Sequence, residues 1–299
     1  MKTFLIGNGL NRCIADNISW GDLLQKIANE YGVELQSSVS FPMQFECIVN
    51  QILIGTKKPS ETIYEEIKTK IAKRMEKASL PEYAPHYYFT EKSNCFLTTN
   101  YDFMLERSID PKFSIIDINN KTRNSHSKYN LHNSVHVAEK EIFHIHGHIQ
   151  KPKTICLGYE HYAGTLQHLR NEISTKKKEY DNLPAILVNI QNPKAEIEKC
   201  WATKLFTDEV HIVGLGMGES EIDIWWAITY RSFLKYSNRF GASKYINNRI
   251  VFHDIGEEPN RNMKYVLSNN AVEYLFHHIN PNDSSAYLNE YLALAESIK

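Results

Sequence analysis

Residues 3–11 read TFLIGNGLN: a short apolar run, a turn carrying Gly7 and Gly9, and the polar entry to the next element. Such a run closed by glycine reads as a buried strand feeding a tight turn. The following stretch, ISWGDLLQKIANEYG (18–32), sets Leu23, Leu24, Ile27 and Tyr31 at helical spacing and stops at Gly32. Strand character returns at NCFLTTN (94–100), KFSIID (112–117), EIFHIHG (141–147), EVHIVGLG (209–216), NRIVFHD (248–254) and AVEYLFHH (271–278). Helical patterns such as DFMLERS, HYAGTLQHLRNEI and SEIDIWWAITYRSFLKY lie between them. Strands alternating with helices predict an α/β fold, a doubly wound parallel sheet covered on both faces. FECIVNQIL and ETIYEEIKTKIAKRM add an inserted helical layer.

No repeat or linker composition divides the chain. A single domain over 1–299 is expected, with a mainly helical insertion at about 33–92 and a short C-terminal extension at about 240–299. KTRNSHSKYNLHNS (121–134) is the most loop-like stretch.

Composition excludes several classes. With 42% hydrophobic residues the 299-residue chain can bury a large core. Lys and Arg number 34 against 35 Asp and Glu, so no global field favours nucleic acid or an anionic membrane, and direct nucleic-acid binding is not expected. The basic run KKK (176–178) reads as a solvated helix end. The five cysteines are scattered without a CxxC pair, which argues against a zinc ribbon or a disulfide framework. MKTFLIGNG is too short for a signal-peptide core, and no run approaches the roughly 18 apolar residues of a membrane span. A cytoplasmic protein is expected.

In a parallel sheet, ligands bind where strands run out at one edge. Four stretches do so here. In GNGLN, Gly7 and Gly9 permit close backbone approach to a phosphate, although Arg12 stands where a dinucleotide fingerprint wants a small residue. TTNYD presents Thr99, Asn100 and Asp102, suited to ribose hydroxyls or a water, or equally to capping the next helix. HIHGH places His144, His146 and His148 on one strand face, about 6–7 Å apart per step. Two such imidazoles could share a metal, but no accompanying ligand set is visible, and packing or hydrogen-bonded roles compete. GLGMGESEID supplies Gly214, Gly216 and Gly218, with Asp223 placed to cap or orient and Trp225 and Trp226 read as core.

In this order the motifs resemble the sirtuin-like NAD-binding superfamily, particularly the bacterial antiphage-defence sirtuin-like NADases and the related AbiH abortive-infection family. GNGLN stands for the superfamily's GAGxS, SWGDLL for its small-Trp-x-x-Leu-Leu segment, TTNYD for Thr-x-Asn-x-Asp, FHIHGH for the His-Gly pair, and GLGMGESEID for the late glycine motif. The resemblance spans roughly residues 4–235 and implies a Rossmann-like fold. It implies that Asn100 contacts the nicotinamide ribose and positions the nucleophile, that His146 before Gly147 is the catalytic base, and that Asp102 steadies the ribose. Gly7, Asn8, Gly9 and Asn11 would line the pyrophosphate side, Gly214 and Gly216 the adenosine side, with Thr99 and Asp223 nearby. Asn8 and Asn11 replace the family's alanine and serine, following the AbiH-like GNGxx pattern, so cofactor identity is less sharply specified.

The four-cysteine zinc module of sirtuin deacylases is missing, which disfavours protein deacylation. The expected activity is NAD+ hydrolysis to nicotinamide and ADP-ribose, NAD+ being the substrate and no metal being required. The alternatives are a non-catalytic sensor of NAD or ADP-ribose and a metal-dependent hydrolase or nuclease using the HxHxH run. A free NADase endangers its own cell, so activation by homo-oligomer formation or by a separate sensor or activator protein is expected.

Overall fold

A computed structural model describes residues 1–14, 19–36, 38–76, 79–113, 129, 131–132, 134–192 and 200–298. The strands are β1 (Lys2–Ile6), β2 (Cys95–Thr98), β3 (Ser134–Val137), β4 (Lys140–His144), β5 (Lys176–Lys177), β6 (Leu183–Pro184), β7 (Glu209–Val213), β8 (Ile250–Gly256) and β9 (Glu273–His278). Seven of them form one sheet in the order β3-β4-β2-β1-β7-β8-β9. Every neighbouring pair is parallel except β3 with β4. β5 and β6 make a separate two-stranded ribbon.

The helices are α1 (Gly9–Arg12), α2 (Trp20–Glu30), α3 (Phe41–Ile54), α4 (Ser60–Met75), α5 (His86–Thr90), α6 (Met104–Ile109), α7 (Tyr159–Ser174), α8 (Ala185–Gln191), α9 (Thr203–Thr207), α10 (Ile222–Ser237), α11 (Arg261–Asn269) and α12 (Ala286–Ser297). Their apolar faces cover both sides of the sheet, because alternate strand residues point opposite ways. Phe4, Ile6, Phe96, Ile142 and Val213 pack with Phe89 of α5, Leu105 of α6 and Tyr291 and Leu294 of α12. Their neighbours Leu5, Leu97, Phe143 and Ile212 pack with Leu169 of α7, Ile186 of α8, Leu205 of α9 and Ile228 of α10. Helices α2–α4 have a core of their own, Leu24, Ile27, Phe45, Ile48, Ile67 and Ile71, shared with Tyr101 and Phe103. Each such fully buried side chain stabilises the fold by about 1.5–3 kcal/mol.

SVHV joins the sheet unannounced by the sequence, and the KKK run, expected as a solvated helix end, supplies Lys176 and Lys177 to β5. The strand expected at KFSIID falls mostly outside the described residues, and its first residues, Lys112 and Phe113, are not in a strand. The edge position is taken by SVHV, which pairs antiparallel with β4 and follows the loop-like stretch directly. Among the described residues no helix is long and apolar enough to cross a membrane.

Topology locates the site. From β1 the chain builds outward through β2 to β4, then returns to place β7 on the opposite side of β1. The direction of winding reverses between β1 and β7, and sheets of this kind bind ligands outside the strand ends near such a point.

Candidate active site

The turns after β1 and β7 interlock. The Gly7 amide donates to the Val213 carbonyl at 2.9 Å and the Gly9 amide to the Gly214 carbonyl at 2.7 Å. A Cβ on Gly7 would lie 2.5 Å from the Gly214 oxygen, and one on Gly9 2.7 Å from it. Glycine is required at both positions for two backbones to touch. Both amides are thus spent inside the protein and are not aimed at a pyrophosphate, the role implied by the resemblance. Asn8 is half-buried, and its carbonyl accepts from the Arg12 amide at 3.0 Å. Gly214 takes φ +66° to complete the contact, whereas Gly216 has open space around its Cβ position and is exposed.

Asn11 and Asp102 meet below these turns. The Asn11 amide donates to Asp102 Oδ2 at 2.7 Å, while Asn11 Oδ1 accepts from His86 Nε2 at 2.8 Å. Asp102 Oδ1 accepts the Met104 amide at 3.0 Å, which caps the start of α6. All three side chains are buried. Burial raises the Asp102 pKa against these hydrogen bonds, and burial lowers that of His86 to about 3, keeping the imidazole neutral. Asp102 therefore acts as an anchor that ties the β1 turn to α6.

Asn100 faces the same opening from β2. Its amide NH2 donates to the Gly7 carbonyl at 3.3 Å and its backbone N–H to Thr98 Oγ1 at 3.0 Å. The preceding Thr99 amide donates to the Ile6 carbonyl at 3.2 Å. Asn100 Oδ1 is buried and accepts nothing from the protein. An unpaired buried acceptor costs roughly 1–3 kcal/mol, so a donor belongs there when the site is filled.

The three histidines do not share a strand face. β4 ends at His144, and Gly147, at φ +83°, turns the chain so tightly that a Cβ there would lie 2.2 Å from the Thr154 carbonyl oxygen. His144 donates through Nδ1 to the Asn100 carbonyl at 3.0 Å and through Nε2 to Glu106 at 2.7 Å, with both side chains buried. Burial opposes its charge, but the Glu106 carboxylate outweighs it and raises the His144 pKa. His148 packs against Phe103 and His144, and burial first, then the nearby His144 charge, lowers its pKa to about 3.

His146 goes elsewhere. Its Nε2 donates to Asp223 Oδ2 at 3.0 Å and its Nδ1 lies 3.7 Å from Glu221 Oε2. The ring stands edge-on to Tyr162 at 5.2 Å. Burial works against its charge, yet Asp223 and then Glu221 raise its pKa. Glu221 Oε2 and Asp223 Oδ1, like Asn100 Oδ1, have no hydrogen-bond partner. The donor atoms of His146, Glu221 and Asp223 lie within 4.8 Å of one another, close enough to share an ion, but the 3.0 Å hydrogen bond already couples the first pair. His144, committed to Glu106, takes no part in that group.

The structure thus brings Asn100, His146, Gly147 and Asp223 to the strand ends, holds Asn11 and Asp102 together beneath the β1 turn, and spends Gly7, Gly9 and Gly214 on the turns themselves. Sequence reasoning missed Glu106, Glu221 and His86. Glu106 carried a signal, a carboxylate on the apolar face of DFMLERS; Glu221 sits two residues before Asp223 in GESEID; His86 carried none.

No curated protein matches the chain. A family model described as a SIR2-like domain matches residues 94–239, which contain TTNYD, FHIHGH and GLGMGESEID, and this supports the sirtuin-like superfamily.

Proposed function

We propose that the chain is a NAD+ glycohydrolase, cleaving the nicotinamide–ribose bond to nicotinamide and ADP-ribose. The observation that carries this reading is a set of buried or half-buried acceptors without hydrogen-bond partners beyond the strand ends, Asn100 Oδ1 after β2, and Glu221 Oε2 and Asp223 Oδ1 beside His146. Acceptor-only groups suit a ligand rich in hydroxyl donors, and a ribose is such a ligand. The match of residues 94–239 to the SIR2-like domain adds support, because domains of this kind use NAD+ as substrate.

In this reading Asn100 holds the nicotinamide ribose. Nicotinamide departs as a neutral ring, so the ribose gains oxocarbenium character and needs a nucleophile rather than a strong acid. The carboxylates of Asp223 and Glu221 lower the energy of that positive charge. His146, oriented by Asp223, handles the proton of the attacking water. Asp102 acts one step back, through Asn11. Gly216, exposed beyond the end of β7, leaves room for the rest of the dinucleotide.

The cellular role that accompanies this activity in the resembled defence proteins is toxicity during phage infection, and we extend it to this chain. Self-assembly or an activator protein would then switch the enzyme on. Phe233, Tyr236 and Phe240, at 48%, 63% and 41% exposure on and beyond α10, offer an aromatic face for such a contact. The test is incubation of the purified chain with NAD+ over a range of protein concentrations, with products separated by chromatography. Nicotinamide and ADP-ribose in equal amounts are expected, with a rate per chain that rises with concentration. Intact NAD+ at every concentration and with every candidate partner would overturn the activity, and a constant rate per chain would overturn self-assembly.

A further inference from the structure

His146, Asp223 and Glu221 are unequal in access. The side chains of His146 and Asp223 are 2% and 0% exposed, whereas that of Glu221 is 18% exposed. Glu221 alone of the three has a partly exposed side chain, and its buried Oε2 bonds to nothing in the protein. Its backbone is fixed. The Glu221 amide donates to the Gly218 carbonyl at 3.0 Å, and the Glu221 carbonyl accepts from the Trp225 amide at 2.9 Å. The Trp225 indole N–H reaches back to the Met217 and Gly218 carbonyls at 3.2 and 3.1 Å and clamps the glycine turn. The carboxylate arm extends from this fixed backbone toward His146.

Proton counting gives that arm a task. A neutral His146 has one N–H, and the 3.0 Å contact with Asp223 places it on Nε2. Its Nδ1 lone pair then faces Glu221 Oε2 across 3.7 Å, two acceptors with no proton between them. One added proton turns the gap into a charge-assisted hydrogen bond.

We propose that Glu221 is a catalytic residue, whose carboxylate touches the attacking water and relays its proton to His146, which Asp223 orients. The proposal rests on the NAD+-cleavage reading. In the step, a water O–H bond breaks as its oxygen bonds to ribose C1′. The pair of the C1′–N bond passes to the nicotinamide ring and neutralises the pyridinium. The proton passes through the Glu221 carboxylate to His146 Nδ1 and leaves to solvent when the products dissociate. Nothing is oxidised or reduced.

The experiment compares wild type, Glu221→Gln, Glu221→Asp, Glu221→Ala and the exposed neighbour variant Glu219→Gln. It reads kcat and KM for nicotinamide release, NAD+ affinity by calorimetry, and the response to added formate. Glu221→Gln should lose about 10²–10⁴ in kcat with KM and affinity nearly unchanged, the pattern of an interaction made only in the transition state. Glu221→Asp should recover part of the rate, Glu219→Gln should match wild type, and formate should restore turnover to Glu221→Ala, which a misfolded variant would not allow. Wild-type kcat in Glu221→Gln, or a loss confined to KM and affinity, would overturn the role of Glu221 while leaving NAD+ cleavage standing. A wild type that releases no nicotinamide under activating conditions would remove the underlying activity and the role with it.

Discussion

Two groups of histidines occupy this sheet, and the protein treats them oppositely. At the strand ends, His144 and His146 each receive a carboxylate, Glu106 at 2.7 Å and Asp223 at 3.0 Å. Across the sheet face, His211 of β7, His253 of β8 and His277 of β9 receive one another. His211 Nδ1 meets His253 Nε2 at 2.9 Å, His253 Nδ1 meets His277 Nε2 at 3.0 Å, and only His277 goes on to a carboxylate by hydrogen bond, Glu290 of α12, at 3.1 Å. Burial lowers the pKa of both His211 and His253, the latter to about 3, while the carboxylates raise those of His144 and His146 despite full burial. A buried imidazole that meets another imidazole stays neutral and serves as packing with directional bonds. One that meets a buried carboxylate keeps a proton within reach, at the cost of desolvating charge. The group that bears this cost stands at and beyond the end of β4.

The contrast can be broken from either side. Glu106→Gln strips the His144 imidazole of its buried counter-charge, and losing one partner of such a pair typically costs about 3–5 kcal/mol. Denaturant unfolding should show a loss of that size, and a loss below about 1 kcal/mol would mean that the pair stores no charge. The pH dependence should differ in sign between the groups. A raised folded pKa, as at His144, contributes stability that is present below about 6.5 and lost as pH climbs through the folded value. A depressed one, as at His253, contributes stability that is present above about 6.5 and lost on acidification toward about 3. His253→Phe should flatten part of the acid limb, by up to a few kcal/mol, with His86 and His148 supplying the remainder. An unchanged acid limb would show that the ladder is protonated in the folded chain.

Smaller effects follow at the borders of the two groups. Gly147→Ala forces a side chain into a left-handed turn against the Thr154 carbonyl, and a strain of about 1–3 kcal/mol should appear in the melting temperature. Displacement of His146 should make its effect on turnover larger than its effect on stability. Glu273→Gln, at the exposed ion pair with Arg249 beside the ladder, should cost less than about 1 kcal/mol and vanish in high salt.

The sheet was legible because its strands announce themselves: TFLIG, NCFLTT and EVHIV are apolar runs closed by small or polar residues, and amphipathic helices separate them. SVHV was not, since four residues at an edge carry little periodicity and their setting depends on β4. Asn100, His146 and Asp223 were legible as strand-end residues in order. The comb of three histidines misled, because spacing by two describes a strand only while the strand lasts, and β4 ends at His144 before Gly147 turns the chain. Glu106 and Glu221 take their meaning from partners 38 residues away and in another loop, contacts that only the folded chain makes. Gly7 and Gly9 show the converse limit: a sequence reveals that a glycine is needed, and the fold reveals the backbone of Gly214 that each must approach.

The central claim is that the carboxylate-paired imidazole at the strand ends does chemistry on NAD+. Nicotinamide release measured side by side for wild type, Asn100→Ala and His146→Ala, with thermal unfolding as the control for folding, tests it most directly. The account predicts turnover in wild type and a loss of about 10²–10⁴ in folded His146→Ala, with Asn100→Ala also strongly impaired. Equal turnover in wild type and His146→Ala would contradict it.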